Sequence, residues 1–287
     1  MELIVEKKSL VPRFKSDSLY NEKTLSVFAR EATVFTLKKF GEIVVEVPTI
    51  ENSLGEYAFA GHYCFPYVDV NWFCNKVEDL VSLYELSLKD GKLLDILGIL
   101  KTEGLEGFED DNGNSLVKVT SREDRRDNYR RSMKKGINRM RNRTKGRLSY
   151  VPISLVDGDS ILRYWFELHD NKFLKQIRAL YQIWYDRKEL LVHGIMLDGI
   201  LVGVDYILLN EGLASGLLTP WKKDIEELYY MEVGHYAIDK ALDILHELNI
   251  ENFDIGERSM AYKRKWETSI LETKVIGLGR WEWRGDE

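Results

Sequence analysis

Hydrophobic and polar positions divide the chain into a strand-rich first stretch and a longer mixed one. From about 25 to 50 the pattern has the two-residue period of strands. Leu25-Ser26-Val27-Phe28-Ala29 alternates, and Gly41-Glu42-Ile43-Val44-Val45-Glu46-Val47 runs up to Pro48, where a strand is expected to end. Tyr57 to Val70 is aromatic and broken by Gly61 and Pro66. Trp72 to Leu88 carries apolar residues at helical spacing, with Val77, Leu80, Val81 and Tyr84 on one face. Lys89-Asp90-Gly91-Lys92 reads as a turn, Leu93 to Leu100 as a buried strand, and Gly104 to Asn114 as a loop.

In the second stretch, Thr120-x-x-Glu123 has the spacing of a capping box for a helix reaching about Lys145, with Gly146 suited to its carboxyl cap. Its apolar stripe is narrow: Tyr129, Met133, Ile137 and Met140. Leu148 to Val151 reads as a short strand, and Ser160 to Asp186 as one or two helices. Leu190 to Leu197 and Ile200 to Leu208 flank Asp198-Gly199, a strong hairpin signal. Leu213 to Leu218 is a third strand, and Pro220-Trp221-Lys222-Lys223-Asp224 opens a loop. An amphipathic helix from about Gly234 to Leu248 follows, then an apolar strand ending near Asp254, a short helix and two terminal strands.

With 287 residues, 44% hydrophobic and 31% charged, the composition is that of a globular protein with one large or two ordinary domains. No apolar run reaches bilayer length, so no stable membrane insertion is expected. Met1 to Lys8 lacks the pattern of a secretory leader. The two cysteines, Cys64 and Cys74, are too few for a disulfide framework, which points to a reducing cytoplasm. With five histidines and no ligand spacing, no metal site is expected.

The net charge of −6 argues against a chain that coats nucleic acid. Between Arg125 and Arg147, however, eleven cations face only Asp127. That run is either a solvated face or a surface for a phosphate-bearing partner, and Arg139 and Arg143, one turn apart, could share a phosphate. Tyr63 and Tyr67 either line a substrate groove or belong to an aromatic core.

The last third holds the densest chemistry. Phe253-Asp254-Ile255-Gly256 ends a strand, and Tyr262-Lys263-x-x-Trp266 follows it. A strand ending in Asp-x-Gly delivers polar groups to the carboxyl edge of a sheet, where ligand sites form. Asp254 is either such a group or a helix cap. This signature resembles that of the Fem-type peptidyltransferases and the related exopolysaccharide acetyltransferases of the GNAT (Gcn5-related N-acyltransferase) superfamily. Arg139-Met140-Arg141-Asn142-Arg143 with Gly146 resembles the family's basic helix, Leu197 to Gly203 its central hairpin, and Tyr229 and Gly234 positions before its main helix. The resemblance covers roughly 120 to 270.

It implies an α/β fold with a GNAT-type mixed sheet and flanking helices, in two tandem modules. Residues 1–120 would be a degenerate first module, 121–147 the basic helix and 148–287 the acyltransferase module. The sequence itself displays no clear repeat. The implied co-substrate is acetyl-CoA or another acyl-CoA, with aminoacyl-tRNA as the Fem-type alternative, and the acceptor is a small-molecule or phosphate-bearing amine. A non-catalytic scaffold that holds an anionic polymer is a third reading. Val233, Gly234 and His235, at the start of the main helix, would take the carrier's pyrophosphate on free backbone N–H groups. The Arg/Gln-x-x-Gly-x-Gly/Ala loop common in the superfamily is absent. The resemblance implies that Lys263 stabilises the oxyanion, the alternative being a solvated helix residue. On their chemistry Asp254 would take a proton or hold the attacking amine, and Tyr262 would either give a proton to the leaving group or turn into the core.

Overall fold

The computed structural model describes residues 1–277 apart from 10, 18, 29–30, 53, 62–63, 101–102, 110–112, 129–130, 170–172, 211 and 258–260; the side chains of 31, 126–134 and 257 are also outside the description. The chain divides into two compact units, Met1–Gly113 with Leu271–Glu287, and Asn114–Ile270.

In the first unit, β1 (Glu2–Ser9), α1 (Glu22–Leu25), β2 (Glu31–Lys39), β3 (Glu42–Glu51), β4 (Tyr57–Phe59), α2 (Val77–Lys89) and β5 (Leu94–Leu100) follow in order. The sheet order is β1-β2-β3-β4-β5, closed by β13 (Thr273–Ile276) from the far end of the chain. Every neighbouring pair is antiparallel except β4 and β5, which the α2 crossover makes parallel. Two expectations are corrected. Leu25 does not begin a strand. Asn21 accepts from Thr24 N at 3.1 Å while Thr24 Oγ1 accepts from Asn21 N at 3.1 Å, and this reciprocal cap winds the segment into α1. Nor does β3 stop at Pro48: it runs to Glu51, and the Pro48 carbonyl still accepts from Ala60 N.

The second unit contains β6 (Asn114–Lys118), α3 (Arg122–Asn128), α4 (Arg131–Thr144), β7 (Leu148–Pro152), α5 (Leu155–Leu168), α6 (Leu174–Asp186), β8 (Leu190–Leu197), β9 (Ile200–Asn210) and β10 (Leu213–Leu218). It continues with α7 (Glu226–Tyr230), α8 (Val233–Glu247), β11 (Asn252–Glu257) and β12 (Ser269–Leu271). Its sheet order is β12-β6-β11-β10-β9-β8-β7. Asp198 and Gly199 both have positive φ, 49° and 85°, which the tight β8–β9 turn requires. The cap of α3 lies one residue later than its spacing suggests: Ser121 and Asp124, not Thr120 and Glu123, bond reciprocally.

The two sheets repeat one plan. β7 to β11 pair with the same alternation of senses as β1 to β5, the parallel pair falls at the same place, and each last strand gains an antiparallel neighbour, β6 or β13. The parallel register ends at Ala58↔Asp95 in one and at Ser215↔Asp254 in the other. With that alignment a short sequence repeat becomes visible, Leu94-Asp95-Ile96-Leu97-Gly98 against Phe253-Asp254-Ile255-Gly256, and both glycines have positive φ.

The core of the second unit joins α8 (Tyr236, Ala241, Leu242, Leu245), the sheet (Val202, Ile207, Phe253, Ile255) and Ile137 and Met140 of α4. Each such side chain contributes roughly 1.5–3 kcal/mol by leaving water. Tyr129 and the Met133 side chain, expected on the same stripe, lie outside the described residues. The cationic side of α4 is anchored as well. Arg141 grips the buried Asp239 of α8 in a two-pronged bond at 3.0 and 2.7 Å. Arg141→Ala would strand that carboxylate and should cost roughly 3–5 kcal/mol of stability, with Arg141→Lys intermediate. A parental denaturation midpoint for Arg141→Ala would show that the pair does not hold α4 to α8.

Candidate functional site

The site begins where β10 and β11 part. Only Leu213–Ser215 and Asn252–Asp254 pair in register. Beyond them β10 carries a register shift between Gly216 and Leu218 and follows β9 instead, while Gly256, with φ +83°, turns β11 the other way. The strands open into a cavity of about 1360 Å³ bounded by β10, the start of α8, α4 and the segment 261–269.

The first unit opens its parallel pair at the equivalent point, but its own chain fills the gap. Val68 N donates to Gly98 O and Leu100 N to Val68 O, both at 2.9 Å, so the Val68 segment lies alongside the outer half of β5. Tyr67 is buried there beside Trp72, with ring centroids 6.2 Å apart, within an aromatic cluster that includes Tyr20, Phe59 and Phe73. The aromatic-core alternative therefore describes Tyr67, which does not line the cavity of the second unit. Tyr63 lies outside the described residues. Cys64 and Cys74 are free and buried, and burial pushes both thiols up to about 12.

Asp254, the last paired residue before the second opening, is 1% exposed and does not itself line the cavity, whereas its neighbours Phe253 and Ile255 do. Its Oδ1 accepts from Gly256 N at 2.7 Å and its Oδ2 from Asn114 Nδ2 at 2.9 Å. It caps no helix. Burial raises its pKa to about 6, against the lowering effect of those two donors and of the nearby Lys263 charge. Lys263 Nζ lies only 3.0 Å from where a Cβ on Gly256 would stand, so the glycine gives both the turn and the space for the ammonium. Asp254, Gly256 and Lys263 thus meet at one point.

The amino terminus of α8 forms the adjoining wall. Val233, Gly234 and His235 all line the cavity. Where a side chain on Gly234 would stand, the Tyr262 ring lies at 3.4–3.6 Å, so Gly234 makes room for Tyr262. The N–H groups of this first turn run along the helix axis, a different direction, and have no partner within the helix. Trp266 Nε1 donates to His235 Nδ1 at 2.7 Å. An indole nitrogen only donates, so His235 carries its own proton on Nε2. Burial, the largest influence, lowers the His235 pKa and keeps the ring neutral. Burial and the Asp205 charge raise the pKa of Tyr262.

Arg139 and Arg143 converge, but on a carboxylate of this chain. Glu232, in left-handed backbone conformation just before α8, accepts from Arg139 at 2.9 Å and lies 4.0 Å from Arg143, which also donates to Tyr230 O. Other cations of the basic run are paired too: Arg125 with Asp243, Arg141 with Asp239, and Arg147 with Asp198 and Glu227.

Three residues in or beside the site carry no motif: Asp205 and Glu232 line the cavity, and Asn114 bonds Asp254 next to it. Asn114 gives no signal because the five-residue β6 adjoins a polar loop. Glu232 belongs to no motif. Asp205 did carry a signal, as the one charge within the apolar run Ile200 to Leu209. It is buried, with oxygens held by the hydroxyls of Tyr150 at 2.7 Å and Thr219 at 2.8 Å, and burial raises its pKa. Among the described residues there is no cluster of three or more metal-ligating side chains, and no helix is long and apolar enough to cross a membrane.

No family model matches the chain, and no curated protein matches it. Solved structures do. L-PGS from Bacillus licheniformis shares 10% identity over 94% of this chain and 92% of that one, with a TM-score of 0.56. FemX shares 9% over 90% of each, with a TM-score of 0.51. The GCN5-related glucosamine N-acetyltransferase region of a fungal multi-domain β-N-acetylglucosaminidase shares 8% over 96% of this chain and 38% of that one, with a TM-score of 0.51. The chain has a tandem GNAT fold. At these identities the likeness concerns the fold alone. In the second GNAT unit Tyr262, Lys263 and the helix-start residues Val233, Gly234 and His235 line one cavity, with Asp254 buried beside it; in the first, the corresponding opening is filled by the Val68 segment.

Asp254 offers a direct check on this geometry. Its folded pKa of about 6 lies above the ordinary carboxylate value. Its contribution to stability is therefore present below about pH 4 and lost as pH rises through about 6. Asp254→Asn removes the penalty of burying the charge. Its unfolding free energy relative to the parent should rise by roughly 2–3 kcal/mol between pH 4 and pH 7. Denaturant titrations showing a difference that does not change with pH would contradict this burial of Asp254.

Proposed function

We propose that the second unit transfers an acyl group from acyl-CoA to an amine of an anionic or phosphate-bearing acceptor. One observation carries the reading: the parallel strands open onto a cavity lined by the Lys263 ammonium and the start of α8, with the buried Asp254 carboxyl, whose pKa is about 6, between the lining residues Phe253 and Ile255 and close enough to Lys263 to feel its charge. The parting strands expose backbone donors and acceptors to an extended, amide-bearing arm. The first turn of α8 offers N–H groups to a pyrophosphate. Arg139, on the cavity wall, and Arg143 beside it reinforce that role, since a phosphate can take over the bond Arg139 makes to Glu232 and the charge that Glu232 shares with Arg143.

In this reading Asp254 accepts the proton of the acceptor amine, a task suited to a carboxyl with a pKa of about 6. Lys263 faces the oxyanion that develops as the amine nitrogen bonds to the acyl carbon. Tyr262 returns a proton to the departing thiolate, so amide and free thiol are the products. Lys263 interacts more strongly with the oxyanion than with the neutral thioester, which is the condition for accelerating the step. The first unit, its opening occupied by Val68, serves as a scaffold.

Lys263→Ala should lower turnover about 100-fold, as expected for losing one oxyanion donor, with a smaller change in the KM for acetyl-CoA. A screen of amines read by thiol release supplies the assay. Parental turnover with an unchanged circular-dichroism spectrum would remove Lys263 from the chemistry. Calorimetric titration with acetyl-CoA should give about one site per chain, since Val68 fills the first opening. A stoichiometry of two would mean that this opening also binds carrier.

A further inference from the structure

The loop after β10 places on the cavity wall a cation for which acyl transfer has no use. Lys223 Nζ lies 3.9 Å from the ring centroid of Trp221, 5.0 Å from that of Trp165 and 5.7 Å from that of Tyr229. Trp221 and Tyr229 meet edge to face at 4.7 Å. The loop is fixed by its backbone. Val204 N donates to Pro220 O, Lys222 N to Val202 O, and Lys223 N to the Tyr164 hydroxyl. The ammonium is therefore held among three rings.

Its partners set it apart from Arg125, Arg139, Arg141 and Arg147, each of which meets a carboxylate. Among the described residues no carboxylate pairs with Lys223, and no oxygen accepts from its Nζ. Asp205, on the same cavity wall, has its oxygens engaged by Tyr150 and Thr219. The rings attract the charge through their π faces but leave its three N–H donors without strong acceptors. Partial burial lowers the pKa, as expected for a charge that has lost water without gaining a counter-ion. A ligand that brings oxygen acceptors and negative charge would complete this environment. A second cation would have to expel Lys223 from the rings first.

We propose that Lys223, with Trp165, Trp221 and Tyr229, forms a subsite for a carboxylate carried on an apolar body, such as the acid end of an amino-acid-like acceptor. Lys223 supplies charge and donors, and the rings supply the apolar walls. The proposal does not depend on the identity of the acyl donor.

Three matched probes test it: phenylacetate, its neutral amide phenylacetamide, and the cation phenethylamine. Binding to the whole protein is measured by calorimetry and by ligand-detected NMR. Phenylacetate should bind at least tenfold tighter than phenylacetamide. Lys223→Gln should weaken phenylacetate at least tenfold, and Lys223→Arg, which keeps the charge, should hold it within a few-fold. Equal binding of acid and amide, no detectable binding of phenylacetate, or unchanged binding in Lys223→Gln would each overturn the proposal. So would tightest binding by phenethylamine, especially if Lys223→Gln improved it, because the rings would then be a cation site in which Lys223 is only a placeholder.

Discussion

Backbone pairing between β10 and β11 ends at Ser215↔Asp254, and the rest of the second unit is organised around that limit. A parallel pair that opens inside a protein leaves backbone groups that need partners. In the first unit the Val68 segment supplies them. In the second, a bulge after Gly216 and a left-handed Gly256 hold the strands apart, and a cavity takes the place of the plug. At this limit Asp254 is buried, Lys263 sits over Gly256, and the start of α8 lines the cavity. Burial raises the proton affinity of Asp254 at the point where the strands part.

Charge pairing is the second organising feature. The run Arg125 to Arg147 reads in sequence as one cationic face, yet its described arginines reach acids on α7, on α8, at Glu232 just before α8 and in the β8–β9 turn. Arg125 and Arg141 are structural struts of the helix pair. Arg139 and Arg143, about half exposed and sharing Glu232, remain able to exchange a carboxylate of the chain for an incoming phosphate. Lys223 differs from all of these in having rings for neighbours and no acid.

Much of the second unit was legible in the sequence because its signals are local. Asp198-Gly199 specifies its turn, the period of α8 specifies its buried face, and Asp254-x-Gly256 marks a strand end at a sheet edge. Val233, Gly234, His235, Tyr262 and Lys263 are marked by the family resemblance of the segments around these elements, and all five line the cavity. What could not be read depends on distant partners. β6 is a short strand that gains its identity only by pairing with β11, and β13 returns to a sheet formed at the other end of the chain. The acids that neutralise α4 lie far along the sequence. The duplication was hidden because strand order and sense repeat while side chains have diverged, leaving little more than Leu94-Asp95-Ile96 against Phe253-Asp254-Ile255. At Leu25, four-residue capping chemistry outweighed an alternating pattern too short to make a strand.

The central claim is that the opening between β10 and β11 receives the acyl carrier. Amide hydrogen exchange with and without acetyl-CoA tests it at the backbone itself. The account predicts that exchange slows at Gly216 to Leu218, on the parting strand, and at Val233 to His235, the first turn of α8, while the Val68 segment is unchanged. Protection confined to the first unit, or absent from both of these segments at saturating acetyl-CoA, would contradict it.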